Sequence, residues 1–155
     1  MTVEKKFVLP KVEQVAMTVK DLESTAAYLS SSLGIGPFQI SDRDSSTMVY
    51  GKPTMAKRKV GIAGMGGVDL ELIQPLEEGT PYYDFMNSRG EGLQHIRFSP
   101  VDDLNRTVAY LEEKGFKVVY SGKQTSGLHP GSLFAYMESE RAKGFILEFV
   151  QRPKS

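Results

Sequence analysis

Cysteine is absent from this 155-residue chain, which excludes disulfides, thiolate nucleophiles and cysteine-ligated metals together. Histidine is scarce. With only His95 and His129 available, any metal site must draw most of its donors from oxygen. Net charge is missing as well: nineteen Lys and Arg balance nineteen Asp and Glu, leaving no field to gather nucleic acid or an anionic membrane. No apolar run is long enough to span a bilayer. The stretch Met1–Pro10 has too few apolar residues before its proline to read as a signal peptide. These absences predict a cytoplasmic protein acting on a small molecule, with neither nucleic acid nor membrane as partner.

What is present fits one globular core, with 40% hydrophobic and 25% charged residues and no linker-like segment. The most informative feature is an internal repeat. Val12–Val19 alternates like a half-buried strand and runs into a helix whose natural N-cap is Asp21. Leu22, Ala26, Leu29 and Leu33 recur at helical spacing, and Gly34 stops the helix. From Leu93 the pattern returns: an alternating strand, then from Val101 a helix carrying Leu104, Val108 and Leu111 that ends at Lys114-Gly115. Leu70–Gln74 and Leu147–Gln151 likewise match, each with a glutamate between apolar neighbours. The offset of roughly 80 residues suits a duplicated module and is too long for a solenoid.

Between helix and final strand each half has room for two more strands. In the first these fall around Phe38–Ser41 or Met48–Tyr50, and Lys59–Ala63; in the second, around Lys117–Tyr120 and Leu133–Met137. Gly66-Gly67 and Lys143-Gly144 supply turns into the last strands. Each half therefore reads β-α-β-β-β. The expected class is α+β, with two βαβββ modules pairing into a curved, barrel-like sheet around a central trough. The expected limits are a single domain over 8–153, with modules over about 10–76 and 92–152. A ferredoxin-like domain with an accidental Leu-Glu match is the alternative.

Equivalent positions in equivalent strands point the same way. Gln14 and His95 hold one such place, and Glu71 and Glu148 another, so a shared trough would bring all four together. A carboxylate between apolar neighbours in a buried strand is costly unless paired or metal-bound. One imidazole and three oxygen donors suit a divalent ion such as Zn, Mn, Co or Ni. Alternation also allows the two glutamates to face solvent and His95 to be an ordinary core histidine.

Val19-Lys-Asp-Leu-Glu23 with Leu33-Gly-Ile35, Leu70-Glu-Leu-Ile-Gln-Pro-Leu76, Gly90-Glu-Gly-Leu-Gln-His-Ile96 and Leu147-Glu-Phe-Val150 together resemble the vicinal oxygen chelate superfamily. That superfamily includes glyoxalase I, methylmalonyl-CoA epimerase, extradiol dioxygenases and bleomycin-resistance proteins. The resemblance runs from about Val12 to Gln151, and Leu70–Phe98 looks most like the epimerase branch. It implies a homodimer that holds a divalent metal on Gln14, Glu71, His95 and Glu148. It implies a metal-dependent isomerase or lyase, which activates a small carbonyl or thioester substrate for α-proton transfer through an enediolate. Glu148 would serve as base, and Glu71 as ligand or second proton carrier. Two positions depart from the epimerase pattern. Gln14 stands where that branch has histidine, and Thr54–Lys59 carries no carboxylate where it has a catalytic glutamate. The set Gln, Glu, His, Glu is instead that of zinc-type glyoxalase I, but Ser31 and Pro75 replace the residues that recognise glutathione there. Other readings are a non-catalytic binding or sequestering protein of the bleomycin-resistance type, and an extradiol-type dioxygenase, which usually needs two histidines on iron.

Three residues outside the metal set are candidates for substrate contact. Lys59, in the basic run Lys57-Arg58-Lys59 with Lys52, could hold a phosphate or carboxylate tail, though such a run also suits a solvated strand edge. Tyr82, with Tyr83 and Phe85 on a short segment after Pro81, could form a lid or core. His129, in His129-Pro130-Gly131, sits on a turn that could reach a substrate.

Overall fold

A computed structural model describes residues 6–155. The first five residues, part of the stretch weighed above against a signal peptide, lie outside that range. The chain forms β1 (Val12–Thr18), α1 (Leu22–Leu33), β2 (Gln39–Val49), β3 (Lys52–Gly64), β4 (Asp69–Pro75) and α2 (Pro81–Arg89). It continues as β5 (Gly92–Phe98), α3 (Leu104–Glu113), β6 (Lys117–Lys123), β7 (Leu133–Glu138) and β8 (Ile146–Gln151). The order β-α-β-β-β therefore occurs twice, with α2 between the two runs. None of the described helices is long and apolar enough to cross a membrane.

The eight strands close into a barrel in the order β1-β4-β3-β2-β6-β7-β8-β5. Two seams join the halves. At one, β1 and β5 pair antiparallel over six residue pairs. At the other, β2 and β6 share only Met48↔Ser121 and Val49↔Tyr120, extended by a bond from Tyr50 N–H to the Val119 carbonyl. Beyond those rungs β2 and β6 diverge, and the barrel wall opens there.

Alternation divides each strand between two environments. On β4, Leu70 and Leu72 face outward under α1 with Val19, Leu22 and Ala26. On β8, Leu147 and Phe149 do the same under α3 with Leu104 and Leu111. The opposite faces of the same strands line the barrel interior, where Ala16, Ile73, Tyr82, Tyr136 and Val150 pack together. The helices start as the sequence predicts: the carboxylate of Asp21 accepts from Ser24 N–H at 3.0 Å, and that of Asp103 from Arg106 N–H at 3.0 Å. Gly34 closes α1 in the left-handed region at φ 69°. Replacing Asp21 by alanine strands an orphan amide and is expected to lower unfolding free energy by about 1 kcal/mol, read by urea denaturation. An unchanged midpoint would rule that cap out as a source of stability.

Two elements differ from expectation. β2 is one strand of eleven residues, running through Asp42–Ser46. It pairs with a thirteen-residue β3 through a tight turn at Tyr50-Gly51, both at positive φ. Its middle is polar because one face meets solvent and the other the open interior, so no apolar alternation marks it. Pro53 is tolerated because β4 pairs with β3 only from Arg58 onward, leaving that amide position without a ladder partner on the β4 side. The segment after Pro81 is the helix α2, capped by Thr80 with Pro81 in its first turn. From it Tyr82 enters the barrel core, 2% exposed.

Candidate functional site

Gln14, Glu71, His95 and Glu148 come from four neighbouring strands, in the order β4-β1-β5-β8 around the β1–β5 seam. All four are buried on the barrel's inner side. His95 Nε2 lies 3.1 Å from Glu148 Oε2 and 3.8 Å from Glu71 Oε2. Its Nδ1 is in short contact with Oε1 of buried Gln94, which fixes the ring and leaves Nε2 directed at the two carboxylates. Gln14 Oε1 is buried with no hydrogen-bond donor. Two carboxylates converging on one ring nitrogen need a proton or a cation among them.

The second half adds a residue that sequence reasoning missed. Arg97, two positions after His95 and on the same face, donates from Nε to Glu148 Oε2 at 2.7 Å and from Nη2 to Oε1 at 3.3 Å. The register dictates this, because Arg97 and Glu148 are partners in the parallel β5–β8 pair. Burial alone would raise the Glu148 carboxyl, but Arg97 and the His95 contact outweigh it and hold the group at about 2. In the first half the matching partner of Glu71 is Ala16. The two glutamates are thus equivalent by position and unlike by neighbour: one is clamped, the other is not. Period-two alternation from His95 was the signal for Arg97.

Glu71 lines a polar cavity that also meets Arg43, Arg58, Arg97, Tyr82, Tyr136 and the start of the β6–β7 loop from Lys123 to Ser126. Tyr82 and Tyr136 share a 2.8 Å hydrogen bond between hydroxyls, and Tyr136 Oη lies 3.5 Å from His95 Nε2. Burial, followed by the charge of Glu148, raises the Tyr136 hydroxyl well above its ordinary value, so it stays protonated. Of the three candidate contacts, Tyr82 reaches this cavity. Lys59 does not: it points outward and pairs with Glu23 of α1 at 3.2 Å. His129 is exposed on the β6–β7 loop, where its carbonyl accepts from Ser132, and is not among the cavity's walls. The basic run on β3 splits by alternation, with Lys57 and Lys59 outside and Arg58 inside.

The donor types suit a divalent ion: one imidazole, two carboxylates and an amide oxygen that lacks any other partner. As the side chains stand, no three His, Asp or Glu groups among the described residues form a ready-made ion cage. Arg97 draws Glu148 toward itself, and Glu71 sits at the longer of the two His95 distances.

This barrel of two βαβββ units is the architecture of one superfamily. Residues 13–136 match the model of the glyoxalase/bleomycin resistance protein/dioxygenase superfamily, and the chain belongs to it. Among characterised relatives, an ethylmalonyl-CoA/methylmalonyl-CoA epimerase from Cereibacter sphaeroides is 28% identical over 144 residues, covering 91% of this chain and 97% of that one. The human mitochondrial methylmalonyl-CoA epimerase is 27% identical over 131 residues, covering 79% and 68%. Among solved structures, a Streptomyces coelicolor methylmalonyl-CoA epimerase variant in complex with 2-nitronate-propionyl-CoA superposes with a TM-score of 0.68 at 20% identity, covering 94% and 96%. The Mycobacterium tuberculosis methylmalonyl-CoA epimerase gives 0.64 at 19%, covering 97% and 95%. These structural likenesses establish the fold.

Proposed function

We propose that this chain is a metal-dependent isomerase that moves a proton at the carbon beside a thioester or other small carbonyl group. The observation that carries the reading is the unequal pair of buried glutamates around His95, with Glu71 alone of the four facing the cavity. The epimerase names of two relatives support the thioester class. Gln14, Glu71, His95 and Glu148 would hold the ion. A divalent ion bound there would polarise the carbonyl and offset the charge that builds on its oxygen.

The chain's own groups divide the remaining work. Glu71 borders the open space and has alanine as its strand partner, so it is free to take the α-proton and give it back. Glu148 is better suited to a fixed, negatively charged role, since two bonds from Arg97 oppose its departure. The base role assigned to Glu148 by resemblance therefore passes to Glu71 in this proposal. Tyr136, kept protonated, can donate toward a developing oxyanion, and Tyr82 holds its hydroxyl in place. The inner face of β3 offers Ala56, Arg58 and Val60 and no second base, which favours one-carboxylate proton transfer.

The test is α-proton exchange in deuterated water across acyl-CoA thioesters and 2-oxoaldehyde–thiol adducts, with chelated protein and with Zn, Mn, Co or Ni restored. Exchange is expected in one class, lost on chelation and regained with metal. A second reading, a metal-free binding protein, is favoured by one observation: the Arg97 guanidinium already neutralises Glu148. Failure to bind any of the four ions, together with no exchange in either class, would replace the first reading with the second.

A further inference from the structure

The β2–β3 register sets Arg43 directly opposite Arg58, and both side chains border the barrel cavity. Like charges placed opposite each other across a strand pair repel, and burial strengthens the repulsion. Among the described residues neither arginine has a carboxylate within ion-pair distance. Arg58 spends one Nη1 group on Ser45 Oγ at 3.2 Å and the Ala56 carbonyl at 3.1 Å, and its guanidinium lies over the Tyr82 ring at 5.5 Å. Arg43 rests against the backbone at Gly127, where an added Cβ would come within 3.6 Å of Nη2. Burial first, then the charges of Arg58 and Arg97, weaken Arg43's hold on its proton against an opposing pull from Glu71. The neighbouring acids are Glu71, which faces His95, and Asp44, an exposed residue that also borders the cavity but pairs with neither arginine. Arg97 is already committed to Glu148 and Glu13.

We infer that Arg43 and Arg58 form a subsite for an oxyanion, a carboxylate or phosphate carried by the ligand. Two guanidinium groups that border one cavity from opposed positions of a strand pair can each donate to an oxygen of either group. The bound anion would relieve the repulsion that the register imposes. Because Arg58 reaches inward as far as buried Tyr82 and shares the cavity with Glu71, the anionic group belongs to the reacting part of the molecule and not to a distant carrier. This deepens the isomerase reading and rests on it for the nature of the reacting carbon.

Calorimetric titration of the chelated full chain with malonate and, separately, with inorganic phosphate tests the subsite without any turnover. Saturable binding is expected, and the tighter of the two identifies the anion. Arg43→Gln and Arg58→Gln should each weaken it by at least about tenfold. Arg43→Gln should also raise the melting temperature of the anion-free protein, since it removes half of an unpaired like-charge contact. No saturable binding of either probe, or undiminished binding in both folded variants, would overturn the subsite. Anion binding without proton exchange would keep the subsite and remove the isomerase reading. Exchange that neither substitution alters would do the reverse.

Discussion

Glu71→Gln is expected to cost about two to four orders of magnitude in α-proton exchange, the range that a positioned general base supplies. The substitution keeps the side-chain volume and an amide oxygen, so folding and part of the ion affinity should persist. The comparison that gives the result meaning is Glu148→Gln. Glu148 is not among the residues that line the cavity and is tied to Arg97, so its loss should fall on stability and ion binding more than on the proton step. Exchange rates in deuterated water, measured at saturating metal, separate the two. A large loss in Glu148→Gln with Glu71→Gln nearly intact would return the base role to Glu148.

The second large effect concerns folding. Arg97→Met leaves the Glu148 carboxylate buried without its main partner, and such one-sided removal typically costs about 3–5 kcal/mol. The pH dependence should change sign with it. In the parent, Glu148 is held at about 2 against an ordinary value of 4.5. Its stabilisation is therefore complete above the ordinary value and drains away as pH falls toward 2. In the variant, burial becomes the dominant influence and raises the carboxyl, so the folded form takes up a proton more readily than the unfolded one. The deficit should then be widest near pH 8 and shrink toward pH 5. Urea denaturation in chelator across that range reads it. A deficit independent of pH would mean that the loss comes from packing and not from Glu148.

Much of the fold was legible because two independent similarities kept one offset. Strand alternation at Val12–Val19 and Leu93–Ser99, and the caps at Asp21 and Gly34, each obey a local rule that tertiary packing did not override. The long β2–β3 hairpin was only half visible, since Asp42–Ser46 shows no apolar alternation where both faces meet water or a polar cavity. α2 was read as a segment without a type, because nine residues span too few turns to establish a helical period. The four candidate ligands could be named in advance because each breaks the pattern of its strand. The arginines were harder. Arg58 hid inside a basic run, two members of which are ordinary surface lysines, and a lone arginine such as Arg97 looks like a solvent residue until the register supplies its partner.

The two seams of the barrel differ in width, and that difference gives the molecule a stiff side and a soft side. Six residue pairs lock β1 to β5, and the four candidate ligands ride on the strands around that join. Two pairs and one further bond hold β2 to β6, so parting that edge breaks few hydrogen bonds. Arg43 and Arg58 belong to the hairpin beside this edge. Fluctuation of the hairpin would change how far the guanidinium pair stands from the glutamates while leaving the spacing within the glutamate–histidine cluster almost constant. A molecule entering between β2 and β6 would thus meet the compliant half of the barrel first and come to rest against the rigid half.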